Sequence, residues 1–221
     1  RRDSEGLPLT DWANRVMLRD LNGDEMLDII ASYSEGPRVW LNEGGTAWKS
    51  ASYGLPIPIV HGIYIDLDVA DINNDGRPDI VAANWVDGPE VYLQKPEGSW
   101  AKQPDVFPQM SGGAAGIAVA DLDQDGNLDL AVAGRLAIEG GYIRGVFALF
   151  GDGAGRMRYS ADTGLPNTGL AATDGVAALD ANGDGYPDIA AGSGLIVETV
   201  AGGPTEPIIP HHLLVWCAVP D

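Results

Sequence analysis

Cysteine, histidine and basic side chains are scarce in this chain of 221 residues. Cys217 is the only cysteine, so no internal disulfide can form, and its apolar neighbours in LLVWCAV favour a buried structural thiol. The three histidines have no carboxylates at a fixed spacing, which makes them a poor transition-metal site. We therefore assign no role to the adjacent pair His211 and His212.

Long apolar runs and positive charge are also lacking. No apolar segment approaches the ~18 residues that a membrane span needs, so we expect no membrane insertion. Lysine and arginine total 13 against 32 aspartates and glutamates, which gives a formal net charge of −19. Nucleic acids and anionic membrane surfaces would repel such a chain, so cations are its expected counterparts.

Recognisable catalytic motifs are missing as well. The sequence contains no G-x-S-x-G, no H-E-x-x-H, no phosphate-binding glycine loop and no cysteine–histidine pair at an informative spacing. A carboxylate that binds a metal ion cannot also titrate freely as an acid or base. We therefore expect the protein not to be an enzyme.

Aspartate, by contrast, is abundant and concentrated in four short loops. DLNGDEMLD begins at Asp20, DINNDGRPD at Asp71, DLDQDGNLD at Asp121 and DANGDGYPD at Asp180. All four fit D-x-[DN]-x-D-x-x-x-D, and their first aspartates are 51, 50 and 59 residues apart. One copy would be weak evidence, because Asp, Asn and Gly are common turn formers, but repetition at a fixed period marks a repeat architecture.

Short apolar segments flank each loop in a constant order. RVMLR, YIDLDVA, GIAVA and GVAAL precede the loops, and DIIAS, DIVAAN, DLAVAG and DIAAGS follow them. A third segment comes next, in PRVWLNE, PEVYLQK, GVFALFG and LLVWCAV, and a more polar one closes the unit in AWKSASYGLP, SWAKQPDVFP and RMRYSADTGLP. Their lengths and their β-branched and aromatic residues are typical of strands, with the polar segment at an outer edge.

Four-stranded antiparallel units of about 50 residues predict an all-β fold, a β-propeller with four visible blades. We expect one domain over 1–221, with repeat units at about 9–56, 57–108, 109–166 and 167–221. Residues 1–8 resemble an outer strand that completes the last blade or a preceding one. Pairing of the termini would close a four-bladed ring, which is slightly preferred, whereas part of a larger propeller would leave the same ends.

Each acidic loop has the features of a metal site. Side chains at positions 1, 3 and 5 would converge on an ion, position 7 would offer its carbonyl, and position 9 a further carboxylate. Oxygen ligands in a flexible shell favour calcium over magnesium. An EF-hand would need a bidentate glutamate at position 12, where this chain has only apolar residues: Ala31, Ala82, Val132 and Ala191.

The stretches DANGDGYPDIAAG and DINNDGRPDIVAAN resemble the calcium loops of FG-GAP/VCBS repeats, as found in integrin α-subunit propellers and many bacterial secreted proteins. The resemblance covers nearly the whole chain and implies metal loops that join the first and second strands of each blade. It implies the following side-chain ligands for up to four calcium ions: Asp20, Asn22, Asp24, Asp28, Asp71, Asn73, Asp75, Asp79, Asp121, Asp123, Asp125, Asp129, Asp180, Asn182, Asp184 and Asp188. The implied carbonyl ligands are those of Met26, Arg77, Asn127 and Tyr186.

The first loop departs from the pattern at position 6. Glycine stands there in the other three loops, as Gly76, Gly126 and Gly185, but the first loop has Glu25. Glycine permits the positive φ of a sharp turn, and glutamate adopts it at a cost. We therefore expect the first site to be the weakest.

The loops at the opposite ends of the strands are the expected binding face. Their candidate residues are Trp12, Tyr33, His61, Trp85, Arg135, Tyr142, Arg144, His211 and His212. The preferred function is a calcium-binding extracellular adhesion or interaction module for a protein or glycan. Two alternatives stay open. The first is a lectin or polysaccharide-active enzyme with Trp12, Trp85 and Tyr142 stacking on sugars, and the second is a structural subunit that assembles through its outer strands.

An extracellular or cell-surface location follows from metal availability. Extracellular calcium modules are tuned to about 10⁻⁴ to 10⁻³ M, so weak sites of this kind would be empty in a calcium-poor cytosol.

Overall fold

The fold is all-β throughout the part of the chain that the computed structural model describes. The described residues are 5–8, 11–44, 47–56, 62–104, 112–138, 141–160, 163, 165, 173–193 and 212–216. Fifteen strands form four separate antiparallel sheets, and the strands follow one another along each sheet in chain order. The predicted propeller blades are thereby confirmed.

The strands of the first two blades have these bounds: β1 Ala13–Arg19, β2 Asp28–Tyr33, β3 Gly36–Asn42, β4 Trp48–Ser50, β5 Tyr64–Ala70, β6 Asp79–Asn84, β7 Gly88–Gln94 and β8 Trp100–Lys102. Those of the third and fourth blades are β9 Ala114–Ala120, β10 Asp129–Ile138, β11 Gly141–Gly151, β12 Met157–Tyr159, β13 Thr173–Leu179, β14 Asp188–Ser193 and β15 His212–Trp216. The fourth blade has three strands among the described residues, whereas each of the others has four.

Apolar cores lie between successive blades, which is how the stack buries both faces of each internal sheet. Leu21 and Ile30 of the first blade pack with Leu67 and Tyr92 of the second. The second blade packs on the third through a cluster that includes Val81, Ile117 and Phe147. A smaller cluster containing Ala131 and Ile189 joins the third blade to the fourth.

The innermost strands β1, β5, β9 and β13 lie side by side, and side chains bridge their free edges. Asn14 Nδ2 donates to the carbonyl of Tyr64 at 2.8 Å. Asp66 accepts the N–H of Ile117 at 3.2 Å, and Asp68 accepts that of Val119 at 3.0 Å. Aspartates on β5 therefore hold the second blade to the third without a shared backbone ladder.

The array is open rather than a closed ring. The substantial strand contacts between blades join first to second, second to third and third to fourth, and none joins β1 to β13 among the described residues. Val16 on β1 is 56% exposed and Leu179 on β13 is 47% exposed, as expected for faces without a neighbouring blade. The slight preference for a closed four-bladed ring was therefore wrong for the described residues, whose sheets are not closed.

Residues 5–8 lie against the first blade. The carbonyl of Glu5 accepts the N–H of Trp48 at 2.9 Å, just as the carbonyl of Tyr53 accepts the N–H of Trp100 at 2.9 Å. The N-terminal segment therefore lies next to β4. In the same way, the end of the first repeat lies next to β8. The repeat boundaries and the assignment of residues 1–8 to an outer strand stay predictions.

One predicted loop is instead regular structure. Arg135, Tyr142 and Arg144 were expected in a loop, but β10 and β11 continue as a paired hairpin, with Arg135 opposite Arg144 and Ile138 opposite Gly141. β-branched and aromatic residues on both sides of the turn favour strand continuation. The third blade therefore projects further than the others at this end.

Candidate metal centre and the opposite face

The four acidic loops, residues 20–28, 71–79, 121–129 and 180–188, connect the first strand of each blade to the second, as predicted. They lie at one end of the blades, and the connections from second to third strands lie at the other. In every loop the N–H of position 7 donates to the carboxylate at position 5, at 2.8 to 3.0 Å. The four loops therefore share one backbone path.

The aspartate at position 9 is fully buried in each loop. In the second loop, Asp79 accepts the N–H of Ile72 at 3.1 Å through Oδ2 and that of Gln94 at 2.8 Å through Oδ1. Asp28 does the same with Leu21 and Asn42, and Asp129 with Leu122 and Gly151. The position-9 carboxylate thus ties the loop to the end of the third strand. Asp129 Oδ2 also accepts the N–H of Asp123 at 3.3 Å, so its Oδ1 is the oxygen with a further lone pair for an ion.

Burial shifts the pKa values of these carboxylates upward. Desolvation raises the pKa of Asp79 to about 6, although the two N–H groups act in the opposite direction. Desolvation likewise raises the pKa of Asp28 and of Asp129. Neighbouring loop aspartates add to the upward shift, because like charges disfavour ionisation. A bound cation would offset this cost.

Two left-handed residues shape each loop, and sequence reasoning found only one of them. Position 6 has positive φ in every loop, including +66° at Glu25, where no glycine relieves it. Position 4 is also left-handed, with φ of +55° at Asn74 and +59° at Gln124. Asn tolerates this region better than most residues, which is the signal that could have identified position 4.

Position 3 separates the third loop from the other three. Asn22, Asn73 and Asn182 each donate their side-chain N–H to the position-5 carboxylate, at 2.8 to 2.9 Å. The third loop has Asp123 there, which has no such donor when ionised. Its carboxylate accepts the N–H of Asp125 at 3.2 Å instead.

Three carboxylates meet in the third loop. Oxygens of Asp121, Asp123 and Asp129 all lie within 4.8 Å of one another, and no other such group of three is found among the described residues. Asp121 Oδ1 is buried and has no hydrogen-bond partner in the described part of the chain. An unpaired buried oxygen beside two further carboxylates is what a hard divalent cation would complete, so these residues fit calcium.

In the second loop, a side chain supplies the positive charge. The guanidinium of Arg77 contacts Asp75 through a short hydrogen bond, and its Nε donates to the carbonyl of Gln94 at 3.1 Å. The guanidinium of Arg77 was not among the predicted groups, which included only its carbonyl. The ligand sets of all four loops, with Asp125 and the carbonyl of Asn127 in the third, and the weakness of the first site stay predictions.

The opposite end of the blades brings together two of the three aromatic residues predicted to stack on sugars. The guanidinium carbon of Arg135 lies 5.1 Å from the ring centroid of Trp85 and 5.2 Å from that of Tyr142. Trp12 is 83% exposed, and no ring contact joins it to either residue in the described part of the chain. Tyr33 instead packs edge-on against Trp40, with their centroids 6.1 Å apart.

The remaining predicted residues of this face are only partly described. Arg144 lies on β11, and His212 begins β15. His61, His211 and the isolated Cys217 lie outside the described residues. No helix long and apolar enough to cross a membrane occurs in the described part of the chain.

Comparison with known proteins agrees with the loop geometry. A family model for the FG-GAP-like repeat matches residues 20–82 and 71–132, just over half of the chain. Comparison with the sequences of curated proteins gives no significant match.

Among solved structures, one similar chain is an Agrocybe aegerita lectin described for specific recognition of non-reducing terminal N-acetylglucosamine, at 16% identity and a TM-score of 0.48. The similarity covers 88% of this chain and 52% of the lectin, so this chain spans about half of the lectin's length. Another is BBS1N in complex with ARL6DN, at 13% identity and a TM-score of 0.43, covering 94% of this chain and 71% of that one.

The matched residues 20–132 contain the first three acidic loops and every strand from β2 to β9. The chain belongs to the FG-GAP-like repeat family.

Proposed function

We propose that this protein is a calcium-stabilised, non-enzymatic β-propeller that acts outside the cell as an interaction module. Its partner is a protein or a glycan, bound at the face opposite the acidic loops. The observation that carries the calcium part is the third loop, where three carboxylates converge beside an unpaired buried oxygen of Asp121. FG-GAP-like repeats are typical of extracellular proteins, which supports the location.

Asp121, Asp123 and Asp129 would hold the ion. When bound, calcium supplies positive charge that offsets the mutual repulsion of these carboxylates. Asp129 also accepts the N–H of Gly151 at the end of β11, so the same side chain links the loop to the third strand. Ordering of this carboxylate by the ion stabilises the blade itself.

Thermal unfolding with calcium and with EGTA tests the metal part. At a calcium concentration about 100 times the dissociation constant, binding contributes about 2.7 kcal/mol, which should raise the Tm by about 5–10 °C. Asp121→Asn should lose most of this increment. Asp152→Asn is the matched control, because Asp152 accepts the N–H of Ala154 in another exposed turn and has no carboxylate cluster. A Tm that EGTA leaves unchanged would refute calcium stabilisation.

Glycan binding is favoured as the mode of recognition by one observation, the convergence of Trp85 and Tyr142 on Arg135. Aromatic rings beside a fixed polar group are the usual composition of a small-ligand site. A glycan array probed with the wild type and with Trp85→Ala tests this mode. We expect saturable binding that the substitution removes, without release of oligosaccharide fragments. Fragment release would indicate the enzyme alternative.

A further inference from the structure

An arginine lies between two aromatic rings where the hairpin of the third blade faces the second blade. Arg135 on β10 and Tyr142 on β11 are diagonal neighbours on one face of this hairpin, since Arg135 pairs with Arg144 two positions away from Tyr142. Trp85 comes from the turn after β6 in the second blade, and its ring centroid lies 5.1 Å from the guanidinium carbon. The cation is therefore fixed by contributions from two blades.

The backbone around this cluster is anchored on both sides. The N–H of Arg135 donates to the carbonyl of Gly113 at 2.8 Å, and the N–H of Trp85 donates to that of Ile63 at 2.8 Å. Gly113 permits the close approach, because a Cβ there would lie 2.1 Å from the carbonyl oxygen of Trp85 and 3.2 Å from Arg135 Nε. The spacing of the two rings is thus set by main-chain contacts, as preorganised sites require.

Within the part of the chain that the structure describes, the charge of Arg135 has no carboxylate partner. No ion pair of Arg135 is found among the described residues, and its buried Nε has no hydrogen-bond partner there. The nearby Asp87 is engaged elsewhere, since it accepts the side-chain N–H of Asn84 at 3.3 Å. An unpaired arginine is unexpected in a protein with a net charge of −19, where carboxylates greatly outnumber cations.

We propose that Arg135, held between Trp85 and Tyr142, binds the carboxylate of a sugar acid at the end of a glycan. The proposal rests on the glycan-binding function proposed above and names the class of ligand. The guanidinium carbon lies within 5.2 Å of both ring centroids, so the cation is held beside two aromatic surfaces. The edge of a guanidinium presents a planar fork of donors that matches a carboxylate in two parallel hydrogen bonds.

The surroundings favour one compact acid over a polyanion. The overall negative charge of the chain repels a ligand with many negative groups. Tyr142 is 61% exposed, so its ring extends beyond the guanidinium as a free apolar platform. A hexuronic acid has a carboxylate next to an apolar ring face, which places one group on Arg135 and the other on Tyr142.

The test compares the binding of methyl β-glucuronide with that of methyl β-glucoside by calorimetry, with the total tryptophan fluorescence as a second signal. We expect the glucuronide to bind about tenfold or more tightly, because a hydrogen-bonded charge contributes at least that factor. Arg135→Lys should lose about tenfold, since lysine keeps the charge but not the planar fork. Tyr142→Phe should retain binding, and Tyr142→Ala should weaken it.

Two variants serve as controls. Arg158→Gln removes an arginine that lies 5.9 Å from the ring centroid of Phe150, away from the cluster, and Tyr53→Ala removes an exposed aromatic side chain outside it. Both should bind the glucuronide as the wild type does, and the Tm of every variant reports whether it folds. Equal binding of glucoside and glucuronide would overturn the proposal, as would full retention by a folded Arg135→Lys protein.

Other outcomes separate this proposal from the proposed function. If neutral glycans bind equally well to the wild type and to the Arg135→Lys variant, the proposed glycan-binding function stands and the sugar-acid assignment is refuted. Tighter binding of a short peptide through its C-terminal carboxylate would replace the sugar acid with a protein ligand. Absence of any binding across glycan and protein panels would refute both proposals.

Discussion

The second and third acidic loops share one nine-residue pattern and lie on adjacent blades, yet their carboxylates have different partners. In the second loop, Asp75 accepts a hydrogen bond from the side-chain amide of Asn73 at 2.9 Å and another from the guanidinium of Arg77. In the third, Asp125 accepts hydrogen bonds from the side-chain amide of Asn127 at 3.1 Å and from its backbone N–H at 2.8 Å. Asp121 keeps an unpaired buried oxygen, whereas both oxygens of Asp71 accept backbone N–H groups.

This difference shows that the same motif can balance its charge in two ways. A loop with asparagine at position 3 and arginine at position 7 satisfies its carboxylates from within the chain. A loop with aspartate at position 3 gathers negative oxygens that nothing in the described chain neutralises. The motif alone therefore predicts the shape of the loop, and the variable positions determine how much it depends on a cation.

The largest expected effect comes from position 9, which the two loops share. Asp79→Ala removes the acceptor of the N–H groups of Ile72 and Gln94. It should lower the free energy of unfolding by about 3–5 kcal/mol even in EGTA, because each buried unpaired donor costs about 1–3 kcal/mol. Urea unfolding measures this loss in the free energy of unfolding.

Asp152→Ala is the control, since its exposed turn can recover hydrogen bonds from water. A loss in the Asp79 variant as small as that of the control would mean that position 9 acts only through a metal. The corresponding Asp129→Ala change should cost a similar amount, because the same two backbone contacts exist in the third loop.

The next effect comes from exchanging the residues that distinguish the two loops. Asn73→Asp with Arg77→Asn gives the second loop the residues of the third, and should lower its stability in EGTA by about 1–2 kcal/mol through lost hydrogen bonds and added repulsion. Asp123→Asn with Asn127→Arg should raise calcium-free stability by about 1 kcal/mol and weaken calcium binding.

Unfolding in EGTA and calcium titration of both double variants measure these changes. The comparison predicts opposite signs for the two exchanges. If both double variants lose calcium-free stability, the side chains at positions 3 and 7 do not explain the difference between the loops.

The smallest effect concerns the backbone. Gly76→Ala and Gly126→Ala should each cost about 1 kcal/mol, since both glycines have positive φ and an added Cβ meets nothing within 4 Å. Glu25→Gly in the first loop should gain a similar amount by relieving the left-handed glutamate. Thermal unfolding compares the three, and a much larger cost at Gly126 than at Gly76 would mean that the backbones of the loops also differ.

The sequence predicted the elements of this fold because each carries a local signal. Apolar segments bounded by turn residues became β1 to β15, and the aspartate pattern marked every connection between first and second strands. Contacts between distant segments carry no such signal. The anchoring of Gln94 by Asp79 and the bonds from Asp66 and Asp68 to β9 follow from how strands meet in space.

The candidate sites show the same division. The loop ligands were identified as residue types, but the partners of Asp75 and Asp121 depend on side-chain directions that spacing does not determine. Trp85 and Tyr142 were chosen for their chemistry, and only the extended hairpin of the third blade places them around Arg135. Local sequence patterns also could not predict that the array is open, because ring closure depends on the angle between blades.

A crystal structure with millimolar calcium, using the anomalous signal of the ion, tests the central claim most directly. The account predicts a calcium peak in the third loop, with oxygens of Asp121 and Asp123 at about 2.3–2.6 Å from the ion. Water, or an empty space, between these carboxylates at saturating calcium would contradict it.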